Sequence, residues 1–223
     1  MATEIPDASL VIEEKPRMSA GWRIPAQALS YLFHPIFIPV YVTAYLLYIH
    51  PYLFAGFEPL LKLQRLVTVF FNMTFIPGFA VFLMYQLKLI PSMYLRTTKE
   101  RLIPYAAAII FYFWGWYVLS RQPDSPPEFI NFLQGCFFGV CGAWIININS
   151  KISMHTTALS GMLVFSFLFS YSDDAASMVF PVVAVLITGL VTTARNIVSD
   201  HSRLEIVQGL VVGALAMVVA WMI

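Results

Sequence analysis

Two histidines and a set of fixed cations are the residues of this chain whose types and spacing could do chemistry. Between two apolar runs, Thr192 to Gly209 collects Arg195, Asp200, His201, Arg203 and Glu205, and upstream His155 stands in Ser150-Lys151-Ile152-Ser153-Met154-His155-Thr156, also flanked by apolar runs. Charges at membrane depth or at its edge cost on the order of several kcal/mol unless they are paired or face water, so such clusters mark a site by default. Two imidazoles beside cations are the equipment for handling a phosphate: a nucleophile or proton carrier, and charge to hold phosphoryl oxygens. A third stretch, Arg96-Thr97-Thr98-Lys99-Glu100-Arg101, is the densest in basic residues. Taken singly, each has a plainer reading. The basic stretch reads as a headgroup-contacting loop, His155 as a helix-end hydrogen-bonder, and Asp200, Arg203 and Glu205 as charges capping a helix.

The elements that must position these groups are membrane spans. The chain of 223 residues is 59% hydrophobic and 11% charged, with mean hydropathy +0.75, which excludes an ordinary soluble domain. Residues 1–25 read as a polar leader without the pattern of a signal peptide, retained on the mature protein, and 26–223 as a single transmembrane helical domain. Apolar runs of spanning length predict about seven helices, near 26–49, 66–87, 102–120, 129–146, 156–171, 176–194 and 204–223. The fold class is therefore an all-α, polytopic membrane helix bundle. Pro35 and Pro39 predict a kink in the first span, where His34 reads as an interhelical hydrogen-bonder. Pro77-Gly78 predicts a break in the second, with Asn72 and Thr74 available to serve freed backbone groups. Gly135 with Gly139, and Gly209 with Gly213, have the four-residue spacing that lets helices approach closely. Cys136 and Cys141 lack metal or redox spacing, and no histidine and carboxylate set has zinc-like spacing, so no metal or other cofactor is expected.

Each crossing flips the chain, so seven spans put the leader and the three polar clusters on one side. Ten of the 13 lysines and arginines fall there, which makes it the cytoplasmic side. With the six candidate site cations set aside, that orientation rests on Lys15, Arg17 and Arg23.

Over about 150–209 the residues resemble the type-2 phosphatidic acid phosphatase superfamily, membrane lipid phosphatases related to vanadium haloperoxidases. Its third motif reads Ser-Arg, five residues, His, three residues, Asp, then commonly Gly after three more. Here Ala194-Arg195, His201, Glu205 and Gly209 keep every spacing, with Ala194 in place of serine and Glu205 in place of aspartate. The second motif, Pro-Ser-Gly-His, stands as Ile152-Ser153-Met154-His155, and as in the family a pair of spans separates the two motifs. The first motif, Lys, six residues, Arg-Pro, is matched only loosely. Lys88 and Arg96 are one residue too far apart, and Lys99, Arg101 and Pro104 have the right types at another spacing.

The resemblance implies a phosphatase-like core in the C-terminal half and a metal-independent hydrolysis of a lipid or isoprenoid phosphate through a phosphohistidine. By it His201 is the nucleophile and His155 the general acid, with Arg195, Lys99, Arg101 and Ser153 binding phosphate. The four-residue step from His201 to Glu205 stacks the two on one helix face, where the carboxylate fixes the tautomer. The expected partners are a lipid or polyprenyl phosphate substrate and the bilayer, with a homo-oligomer open and no nucleic acid. The expected location is a bacterial inner (plasma) membrane. Two other functions use the same features: a transporter or flippase of anionic headgroups, and a catalytically inactive homologue serving as a scaffold.

Overall fold

The computed structural model describes residues 20–95, 97–172, 177–199 and 201–223, and the described residues contain helices and no strand. Most of the leader, Arg96, the turn at Asp173-Asp174 and Asp200 lie outside them. Helix α1 (Ala20–Leu32) ends where Pro35 forces His34 out of the helical region to φ −63, ψ 135, and the turn Pro35–Phe37 starts α2 (Ile38–Ala44). The break thus falls at Pro35, while Pro39 sits in the first turn of α2, where a missing N–H costs nothing. A wide π-helical segment, Tyr45–Ile49, ends this first span.

Helix α3 (Pro59–Phe70) continues through a second π-helical segment, Phe71–Phe75, into α4 (Ile76–Gln86). The expected break at Pro77 takes the form of this widening just before it, which spares the helix a clash between the proline ring and the preceding turn. Asn72 Nδ2 donates to the Thr68 carbonyl at 2.9 Å, and Thr74 Oγ1 to the Ile36 carbonyl at 2.6 Å, pinning this span to the turn after His34. The span begins at Pro59 instead of near Leu66, so Arg65 lies on α3, where it is buried.

Helices α5 (Thr98–Ser120), α6 (Pro127–Asn147), α7 (Met154–Ser172), α8 (Val179–Val198) and α9 (Arg203–Met222) complete the bundle. Among the described residues, six helical segments are long and apolar enough to cross a membrane. Helix α7 is outside that set by composition, because its inward positions carry hydroxyls. Thr156, Thr157, Ser160 and Ser166 are buried and donate to backbone carbonyls. Thr156 and Ser160 also reach across to the carbonyls of Ile206 and Gly209 on α9, at 3.0 and 3.4 Å. Such close approach requires glycine. A Cβ at Gly209 would stand 2.6 Å from the Ser153 carbonyl oxygen, and one at Gly213 2.8 Å from the Thr157 carbonyl carbon. Toward the C-terminal end of α7, Phe129, Phe132, Phe165 and Phe169 are fully buried and fix the helices on which the polar end depends.

Candidate functional site

The three polar clusters meet at the opposite end of α7. Thr97 caps α5, its hydroxyl accepting the Glu100 N–H at 3.3 Å, so α5 starts four residues before the expected Leu102 and carries Lys99 and Arg101 on its first turn. Asn147 Nδ2 donates to the Thr98 carbonyl at 2.9 Å, and Arg101 Nη1 to the Ile152 carbonyl at 3.0 Å, tying that turn to the α6–α7 connection. The Ser153 N–H in turn donates to the Glu205 carbonyl at 3.2 Å, joining this connection to the first turn of α9. Backbone and side-chain bonds therefore bring His155 and His201 together from opposite ends of the resembling stretch.

The result is a cavity of about 480 Å³ whose wall includes Arg101, Lys151, His155, Arg195 and His201, together with His34. Arg195 lies in the last turn of α8, not in the following connection, and acts electrostatically on all three rings. Arg101 also holds the Leu95 carbonyl through Nε at 2.7 Å, so its guanidinium is fixed at the rim. Lys99 is exposed and off the cavity wall, because it projects from α5 two residues away from Arg101, on another face of the helix. Ser153 is fully buried behind the wall. Its hydroxyl has no hydrogen-bond partner among the described residues, and its carbonyl serves Thr156 and Thr157.

His201 is buried, and its Nδ1–H donates to Glu205 Oε2 at 3.2 Å. A carboxylate can only accept, so this bond puts the proton on Nδ1 and the lone pair on Nε2. Burial pushes the His201 pKa down to about 4. Arg101 and then Arg195 push the same way, against the Glu205 carboxylate. His155, at the second position of α7, donates Nε2–H to the Ser30 carbonyl of α1 at 3.1 Å, and its ring meets that of His34 edge to face, centroids 5.3 Å apart.

Among the wall residues that sequence reasoning missed are a lysine and a histidine. Lys151 sat inside the recognised polar cluster, two residues before Ser153, without being assigned to the site. His34 was read as an interhelical hydrogen-bonder, and its signal was the His-Pro pair itself, since proline unwinds the helix where the imidazole can turn inward. Three imidazoles now share one wall, yet among the described residues no three histidines, cysteines or carboxylates are grouped to hold a metal ion. No family model, curated protein or solved structure matches the chain.

Proposed function

We propose that the protein is a membrane phosphatase that hydrolyses a phosphate ester of a lipid or isoprenoid. The observation that carries this reading is the convergence of His201, oriented by Glu205, with His155, Arg195 and Arg101 on one cavity. In the first half-reaction His201 Nε2 attacks phosphorus, the bond from phosphorus to the ester oxygen breaks, and His155 gives a proton to the leaving oxygen. With Nε2 of His155 on the Ser30 carbonyl, Nδ1 is the nitrogen that exchanges this proton. In the second half-reaction water gives a proton back to His155 and attacks the phosphohistidine, the P–N bond breaks, and orthophosphate leaves. Arg195, Arg101 and Lys151 offset the charge on the phosphoryl oxygens.

In this reading α7 crosses the bilayer with the other six helical segments, and the cavity opens to the cytoplasmic side of a bacterial plasma membrane. Headgroup transport uses the same cations, but it has no use for a carboxylate that sets the tautomer of His201, and a scaffold needs neither. The test is phosphate release by the purified protein from phosphatidic acid, phosphatidylglycerol phosphate and polyprenyl phosphates. Release from at least one, lost in His201→Ala, is expected. Vectorial movement of lipid without release points to the transporter, and indifference to His201→Ala in every assay points to the scaffold.

A further inference from the structure

The third imidazole of the cavity belongs to neither matched motif. Pro35 fixes its place: the backbone of His34 is extended, α1 stops, and the side chain joins the cavity wall. Its Nδ1 accepts the Ile36 N–H at 3.4 Å, which caps the next turn. A neutral ring with an accepting Nδ1 carries its proton on Nε2. Among the described residues nothing accepts from that nitrogen. The neighbouring His155 ring has its own Nε2–H committed to the Ser30 carbonyl, and the edge-to-face packing of the two rings holds His34 in place.

We propose that His34 is an anion-binding residue of this cavity, donating Nε2–H to an oxygen of a bound phosphate monoester. The charged side chains that share its wall, Arg101, Lys151 and Arg195, are themselves donors and cannot serve that N–H, so the charged acceptor comes with the ligand. A bond from a neutral donor to an anionic oxygen is about twice as strong as one between neutral groups, so the phosphate competes well with water for the position. His34 thereby recruits the turn after α1, which lies outside the resembling stretch, into the substrate site. The inference rests on the anion-binding part of the functional reading and not on turnover.

The test uses the full chain in detergent and measures binding of inorganic phosphate and, separately, of a short-chain phosphatidic acid, alongside phosphate release. His34→Asn keeps an acceptor for the Ile36 N–H, but its amide N–H₂ falls short of the position of Nε2. We expect it to keep the thermal stability of the parent and to bind both probes about tenfold to a hundredfold more weakly, the range for one hydrogen bond to a charged group. His34→Gln, whose amide N–H₂ reaches toward the position of Nε2, should recover part of that loss. Equal loss for both probes places the contact on the phosphate, whereas loss for the lipid alone places it on the rest of the headgroup and overturns the proposal. Binding by His34→Asn equal to that of the parent overturns it too, as does a parent that binds neither probe. A parent that binds but releases no phosphate refutes the phosphatase reading and leaves the His34 comparison decisive.

Discussion

One oxygen of Glu205 serves two donors: Oε2 lies 3.2 Å from His201 Nδ1 and 2.9 Å from the backbone nitrogen of Ser202. The second bond closes a capping box with the Ser202 hydroxyl, which accepts the Glu205 N–H at 3.2 Å. A glutamate at this position can reach back to the cap and still touch the imidazole, which gives a physical reason for glutamate where the resembled motif has aspartate. The start of α9 and the orientation of His201 are thus one structural unit.

Substitutions at Glu205 should accordingly change stability and turnover together. Glu205→Asp, one methylene short, should lose the cap bond at a cost of about 1 kcal/mol and lower phosphate release. Glu205→Gln should lower release further, because the amide keeps the length but loses the charge that supports the imidazole. Melting curves and rates on the same preparations check this, and faster release by Glu205→Asp would contradict it.

His201→Ala should abolish phosphate release. His155→Ala should be less damaging on an activated aryl phosphate than on an alkyl phosphate, since a good leaving group needs little acid assistance. Equal residual rates for the two variants on the aryl ester would reverse or remove the assigned roles.

The two cations at the start of α5 should separate cleanly. Lys99→Ala should stay within about twofold of the parent, as expected of an exposed group away from the site. Arg101→Ala should cost on the order of a hundredfold in kcat/KM, because it removes a phosphate cation and frees the Ile152 and Leu95 carbonyls. Arg101→Lys should not restore the rate, since an ammonium lacks the planar fork that spans both carbonyls. Parallel kinetics on the three variants decide it.

The depressed pKa of His201 has a definite sign. Its folded value of about 4 lies below the usual 6.5, so the unfolded chain binds the proton more tightly and stability falls as pH drops from about 6.5 toward 4, by about 3 kcal/mol at most. His201 stays neutral over the same window, so if it is the nucleophile proposed above, the acid limb of kcat/KM that belongs to it should lie near pH 4. Glu205→Gln removes a group that raises this pKa and should move the limb lower still. A limb near 6.5 in the pH–rate profile would show that His201 is not buried as described.

Gly209→Ala and Gly213→Ala should each destabilise the bundle by about 1–3 kcal/mol or more, since a methyl meets the backbone of Ser153 at the first and of Thr157 at the second, and neither can swing aside. Thermal unfolding in detergent measures this, and unchanged melting would mean that α7 and α9 pack less closely.

Apolar runs announced the helices well because the bilayer imposes length and composition directly, and the polar clusters announced which end of the bundle holds the cavity. Helix starts were less legible. Capping by Thr97 moved Lys99 and Arg101 from a loop onto α5, and Arg195 proved to be the last turn of α8. The assignment of Ser153 to phosphate followed its place in a motif and that of Lys99 its residue type, and neither says which face a side chain takes. His34 and Lys151 were hidden for a related reason. Whether a residue joins a wall built from distant segments depends on tertiary packing, and the bond of His155 to the Ser30 carbonyl joins positions far apart in sequence.

The wall of the cavity begins at Gln27 and closes at His201, drawing on α1, α5, the α6–α7 connection, α7, α8 and the approach to α9. No local stretch of the chain owns it, so an anion that binds there recognises only the assembled bundle. By mass action such a ligand raises the free energy of unfolding, by about 2.7 kcal/mol at a hundred times its Kd. With phosphate binding as proposed, inorganic phosphate becomes a reporter of complete assembly, and a thermal shift with phosphate reads the site without any lipid.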